Sequence, residues 1–246
     1  MENDERTMRT NAEQFLEGLK KSLTRAIPPR TQVISEIREQ SQNDKKGEKD
    51  IPYENYFLRL FIIENTFKYL TDYFKGDTSK AVTALACESY SRFRQFASCT
   101  PASCLKSPFR KVIGSSAGKI VKKWWDEMGE KAVAEADPDL ALRAPCPHKI
   151  VFEAKYFRQG GIEAAKTALV TSIYQCFFYR GLPRFPGSKT RADWDYDYAF
   201  LLVYDATEEQ NLSKAWNKVR ADVKNNCWAG ANIFVMILAG RPDGAP

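Results

Sequence analysis

The chain has 246 residues, 43% hydrophobic and 28% charged, a balance that excludes a collagen-like fibre and wholesale disorder. Lys and Arg number 37 against 31 Asp and Glu, and the net charge of +6 permits a polyanionic partner without requiring one. No uncharged apolar run approaches the roughly 18 residues of a membrane span, and the charged opening Met-Glu-Asn-Asp-Glu-Arg lacks the apolar stretch of a secretory signal.

In chain order, Phe15, Leu16, Leu19 and Leu23 recur at helical spacing and predict a helix over 10–25. Residues 41–50, Ser-Gln-Asn-Asp-Lys-Lys-Gly-Glu-Lys-Asp, contain nothing apolar and read as a flexible linker, so that 1–52 form a helical arm with its linker. A helical region, 53–114, follows. It holds helices over 55–74, with Phe57, Leu60, Phe61, Phe67, Leu70 and Phe74 on a broad apolar face, and over 78–96, then a loop at 97–108. A further helix is expected over 116–136, ended by Asp137-Pro138 because the residue before proline is pushed out of the helical region.

The pattern then changes. Residues 139–143 read as a short strand, 145–148 as a turn, and 149–157 as a second strand alternating with period two. A helix over 162–179, a polar loop over 181–195, an apolar strand over 198–204, a helix over 208–224 and a buried strand over 232–239 complete the chain. This order is that of an α/β protein whose sheet belongs to the second half.

The segment richest in chemistry is Pro138-Asp139, followed after thirteen residues by Glu153-Ala154-Lys155. Residues two apart on a strand share a face, so Glu153 and Lys155 point to one side while Asp139 starts the neighbouring strand. Hard oxygen ligands from Asp139 and Glu153 suit Mg²⁺. Lys155 is placed to orient a nucleophilic water and offset charge on phosphoryl oxygens. An acid-x-Lys triplet also occurs at Asp44-Lys45-Lys46 and Asp222-Val223-Lys224, but only Glu153-Ala154-Lys155 lies in an apolar strand. A salt-bridged strand with one charged face is the competing account.

Pro138-Asp139 with Glu153-Ala154-Lys155 resembles the signature of the PD-(D/E)XK nucleases, found in restriction endonucleases and many repair and phage nucleases. Gln175-Cys-Phe-Phe-Tyr179, twenty residues after Lys155, is similar to the Gln-x-x-x-Tyr motif of RecB-type members. The resemblance covers roughly residues 115–240 and implies that 115–246 form a restriction-endonuclease-like core, a mixed central sheet flanked by helices. It implies a strand before the Asp139 strand, for which 109–114 is the candidate. It also implies catalytic roles for Asp139, Glu153, Lys155, Gln175 and Tyr179, Mg²⁺ as cofactor, and an acid from the first core helix, for which Glu127 is preferred over Glu130.

Lys119, Lys122 and Lys123 lie close on the helix surface preceding the site, and Arg180 and Arg184 follow the Gln175 helix; both groups suit phosphate contacts. The expected activity is that of a Mg²⁺-dependent DNA endonuclease, a type II restriction enzyme acting on double-stranded DNA as a homodimer. The alternative is a non-catalytic or assembly-dependent nucleic-acid-binding module of the same fold. A single histidine, His148, excludes sites built on several histidines, and six cysteines without a signal peptide point to reduced thiols in the cytoplasm.

Overall fold

A computed structural model of the chain describes residues 2–44, 47, 51–86, 139–181 and 196–239. Two helices open it, α1 (Glu2–Ala26) and α2 (Arg30–Asn43), separated at Pro28-Pro29. Proline lacks the N–H that a helix interior needs yet is tolerated at a helix start, and Pro29 occupies the N-cap of α2. Phe15, Leu16, Leu19 and Leu23 form the buried face of α1. In α2, Val33, Ile37 and Ser41 are buried at four-residue intervals, so the first residues of the expected linker are helix instead. The Tyr56 hydroxyl donates to Asp44 Oδ2 at 2.8 Å and fastens that end.

The helix expected over 55–74 is built in three pieces: α3 (Tyr53–Phe57), a π-helical turn at Leu58–Ile63, and α4 (Glu64–Tyr73). The wider turn keeps Phe57 and Phe61 together, their rings 5.6 Å apart, with Phe57 also 4.6 Å from the Tyr204 ring. Asp77 caps α5 (Thr78–Ala84) by accepting from Lys80 N at 3.0 Å. The helix expected to reach residue 96 leaves helical geometry after Ala84. Leu85–Ala86 forms β1 and pairs antiparallel with β2 (Leu140–Leu142), and Arg143 N donates to Ala84 O. Here strand pairing outweighs local helix preference.

Among the described residues the sheet has five strands in the order β1-β2-β3-β4-β5, with β3 at Ile150–Phe157, β4 at Tyr198–Asp205 and β5 at Ile233–Ala239. The β2 strand runs antiparallel to both neighbours, while β3, β4 and β5 are parallel. Parallel neighbours need crossovers. Helix α6 (Ile162–Gly181) supplies the first, and α7 (Asn211–Asn217) with α8 (Ala221–Ala229) the second. The single helix expected over 208–224 is therefore two. The break turns α8 so that Cys227 enters the core on one sheet face while Trp228 packs against the core on the other.

Each face of the sheet is covered. Ile150, Phe152, Phe200, Leu202, Phe234 and Met236 pack against the N-terminal helices in one hydrophobic cluster. Val151, Ala199, Leu201 and Val203 pack against Leu169, Ile173 and Leu212 in the other. This double coverage is why β3 is buried on both faces from Ile150 to Ala154, where the sequence pattern had pointed to simple alternation. The architecture is α/β with a mixed sheet between helical layers. No helix of the described residues is long and apolar enough to cross a membrane.

Candidate active site

The site lies just before the start of β2. Register pairs Leu140 with Phe152, which sets Asp139 across from Glu153. Beyond that point β3 continues without β2 beside it, and alternate N–H groups along this edge need acceptors. Two carboxylates supply acceptors along it. Asp139 Oδ2 accepts from Ala154 N at 2.7 Å, and Glu54 Oε2 from Tyr156 N at 3.4 Å. Glu54 arrives from the first turn of α3.

Lys155 is held between two acids. Its Nζ lies 2.6 Å from Glu153 Oε1 and 3.0 Å from Glu54 Oε1. The Glu153 side chain is 2% exposed and that of Lys155 26%. Burial pushes the Glu153 carboxyl above the ordinary carboxylate range; Lys155 opposes this, and the Asp139 and Glu54 charges add to it. Burial acts against the Lys155 charge, but Glu153, Glu54 and Asp139 outweigh it and raise the ammonium above the ordinary lysine range. The pair therefore keeps its proton on Lys155. On the covering helix, the Cys176 thiol is raised first by burial and then by the Glu153 charge, so α6 turns Cys176 toward the acids. Such a group can hold a cation and present an ammonium to an anionic substrate at one sheet edge.

Asp139, Glu153 and Lys155 are thus brought together. Gln175 is half-buried on α6 beside Cys176, and Tyr179 is buried in the core beneath α6. Glu127, Lys119, Lys122, Lys123 and Arg184 lie outside the described residues, as do the strand expected at 109–114, the helix at 116–136 and the Arg180 side chain. Sequence reasoning missed Glu54, which is 101 residues from Lys155; its one local signal is an acid in the first turn of a helix. It also passed over Cys176, inside the Gln175–Tyr179 motif. Among the described residues no three His, Cys, Asp or Glu side chains are grouped closely enough to hold a metal ion on their own. Comparison of the chain with family models, with curated proteins and with solved structures finds no match.

Proposed function

We propose that the chain is a metal-dependent nuclease with a restriction-endonuclease-like core, hydrolysing phosphodiester bonds of double-stranded DNA. The observation that carries the reading is the convergence of Asp139, Glu153 and Lys155 along β3 just past its pairing with β2, with Lys155 2.6 Å from Glu153. The pairing of Leu85–Ala86 with the strand that Asp139 opens supports the reading, which calls for a strand before the Asp strand; the candidate for it at 109–114 lies outside the described residues.

The donors fit a hard divalent ion. Mg²⁺ is commonly held by one or two carboxylates, with water and substrate phosphate completing its shell, so Asp139 and Glu153 suffice without a third protein ligand. The buried Glu153 carboxyl, pushed above the ordinary carboxylate range by burial, is a group that a cation would relieve. A divalent ion there supplies Lewis acidity toward a phosphoryl oxygen and a more nucleophilic water. The chain's own residues do the rest. Lys155 offsets charge growing on the phosphoryl oxygens and orients the incoming water. Glu54 holds Lys155 from the other side and fixes its position across the edge. Asp139, locked to the Ala154 N–H, is presented in one orientation.

The test is incubation of plasmid with purified protein in Mg²⁺ and, separately, in EDTA. Nicked or linear products in Mg²⁺ alone are expected. An intact plasmid in both, with protein shown to be folded, would favour the non-catalytic module.

A further inference from the structure

A cleft of about 420 Å³ lies at the other end of β3 from Lys155, where α1 and α4 meet the turn before that strand. Three rings line it: Phe15 of α1, and Tyr69 and Tyr73 of α4. They are held in place. Tyr69 donates its hydroxyl to Phe15 O at 2.9 Å, and a Cβ at position 18 would come within 2.6 Å of that hydroxyl oxygen. Gly18 is therefore what lets Tyr69 lie against α1. Phe15 meets the Tyr69 and Tyr73 rings edge to face, at 5.3 and 5.1 Å. The Tyr73 ring stays 43% exposed.

The polar groups of the cleft are unsatisfied. His148 lines it, is 7% exposed and sits between the Phe15 and Tyr198 rings, yet its imidazole makes no hydrogen bond among the described residues. Burial holds its pKa below the ordinary 6.5 while Asp197 opposes, so near pH 7 it is the neutral ring, with one donor and one acceptor nitrogen. Asn11 and Gln14 lie three apart on α1 and so are neighbours on its surface. Both are exposed, and among the described residues their amides make no hydrogen bond either. None of the described residues lining the cleft carries a charge at that pH.

These features select a ligand. Uncharged walls suit neither a phosphate nor an ammonium group, and rings in direct mutual contact leave no box for a quaternary ammonium ion. A flat, neutral heteroaromatic ring fits instead. It can stack on the exposed Tyr73 ring and exchange hydrogen bonds with the amides and the imidazole around its edge. An Asn or Gln amide matches adenine in particular, donating to the ring nitrogen N7 while accepting from the 6-amino group. We propose that the cleft binds an adenine base, stacked on Tyr73, with its 6-amino edge on the Asn11 and Gln14 amides and His148 hydrogen-bonded to another ring nitrogen. Lys155 comes seven residues after His148, about 23 Å by strand rise, so this site is separate from the candidate active site and does not rest on the nuclease reading.

The test is isothermal titration calorimetry of the full chain in EDTA, with adenosine and with a short single strand of deoxyadenylate as probes. Saturable binding is expected, and purine riboside, which lacks the 6-amino group, binds roughly fivefold to a hundredfold more weakly than adenosine. Tyr73→Ala weakens binding by roughly fivefold to a hundredfold, the worth of one stacked base, while Tyr73→Phe keeps the ring and binds as wild type. Asn11→Ala/Gln14→Ala changes two exposed positions, keeps the wild-type Tm, and binds adenosine and purine riboside alike. A strand that binds more tightly than adenosine and is displaced by it identifies the base as part of a nucleic acid. Adenosine binding that the strand does not disturb identifies a free nucleoside. No saturable binding of either probe would overturn the proposal, as would binding that neither Tyr73→Ala nor the double alanine variant alters.

Discussion

Glu153 and Lys155 form a buried ion pair whose members depend on each other unequally. Removing the ammonium leaves a carboxylate, 2% exposed, that escapes by taking up a proton. Protonating a carboxyl of ordinary pKa 4.5 at neutral pH costs about 3 kcal/mol, at 1.36 kcal/mol per pKa unit. Lys155→Ala is therefore expected to lose up to about 3 kcal/mol at pH 7. The loss shrinks on acidification, because below the unfolded pKa both states are protonated, and adding Glu153→Gln recovers most of it. Urea titrations of both variants at several pH values measure this; a loss unaffected by pH and by the second change would contradict the pairing. His148 gives the opposite pH signature. It lies between the Phe15 and Tyr198 rings, at 5.8 and 5.9 Å, and burial holds its pKa below the ordinary 6.5 while Asp197 opposes. The unfolded chain takes up this proton first as pH falls, so stability drops below about pH 6.5, down to the folded pKa. His148→Gln should flatten that part of the Tm profile between about pH 7 and pH 5, and an unaltered profile would show that His148 ionises freely in the fold.

At the scale of elements, Asp205 decides where α7 begins. Its Oδ1 accepts from Thr207 N and Oγ1 at 3.2 and 2.6 Å, and its Oδ2 from Leu212 N and Ser213 N at 2.9 and 3.0 Å. Asp205→Ala leaves these donors buried without their acceptor and should cost about 3 kcal/mol. A change within about 0.5 kcal/mol, the range of an ordinary surface substitution, would contradict the cap. This carboxylate is one reason the helix expected from residue 208 starts at Asn211. The break before α8 was hidden because Val219 and Val223 continue the helical period through it. The strands β4 and β5 were legible as apolar runs between turn residues, since strands buried on both faces carry little else. Leu85–Ala86 was not, because two apolar residues after a capped helix look like its continuation, and only pairing with Leu142 and Ala141 makes them a strand. Glu153 and Lys155 stood out because charge inside an apolar strand is costly without a purpose. Glu54 carried no comparable mark, because its meaning comes from Lys155 and the Tyr156 N–H, far away in sequence.

At the scale of the whole molecule, the N-terminal helices are a layer of the fold. Phe15, Leu16, Leu19 and Leu23 share a cluster with Phe200 and Phe234, and Arg9 donates to Asn232 Oδ1 at 2.6 Å beside β5. A chain lacking residues 1–44 would expose the aromatic face of the sheet, so it is expected to bind a hydrophobic dye and to lose cooperative unfolding. Retention of the wild-type melting profile would instead mark a separable arm. The same layer delivers Glu54 to Lys155, so the site needs both halves of the chain. The central claim is that Asp139, Glu153 and Lys155 form a reaction centre, and conservative variants test it most directly. Asp139→Asn retains an oxygen for the Ala154 N–H, and Glu153→Gln retains the volume of a buried side chain. The decisive measurement is the plasmid cleavage rate of these two variants in Mg²⁺, beside wild type and with matched Tm. The account predicts wild-type cleavage that falls by about a hundredfold or more in each variant; wild-type cleavage that persists undiminished in both would contradict it.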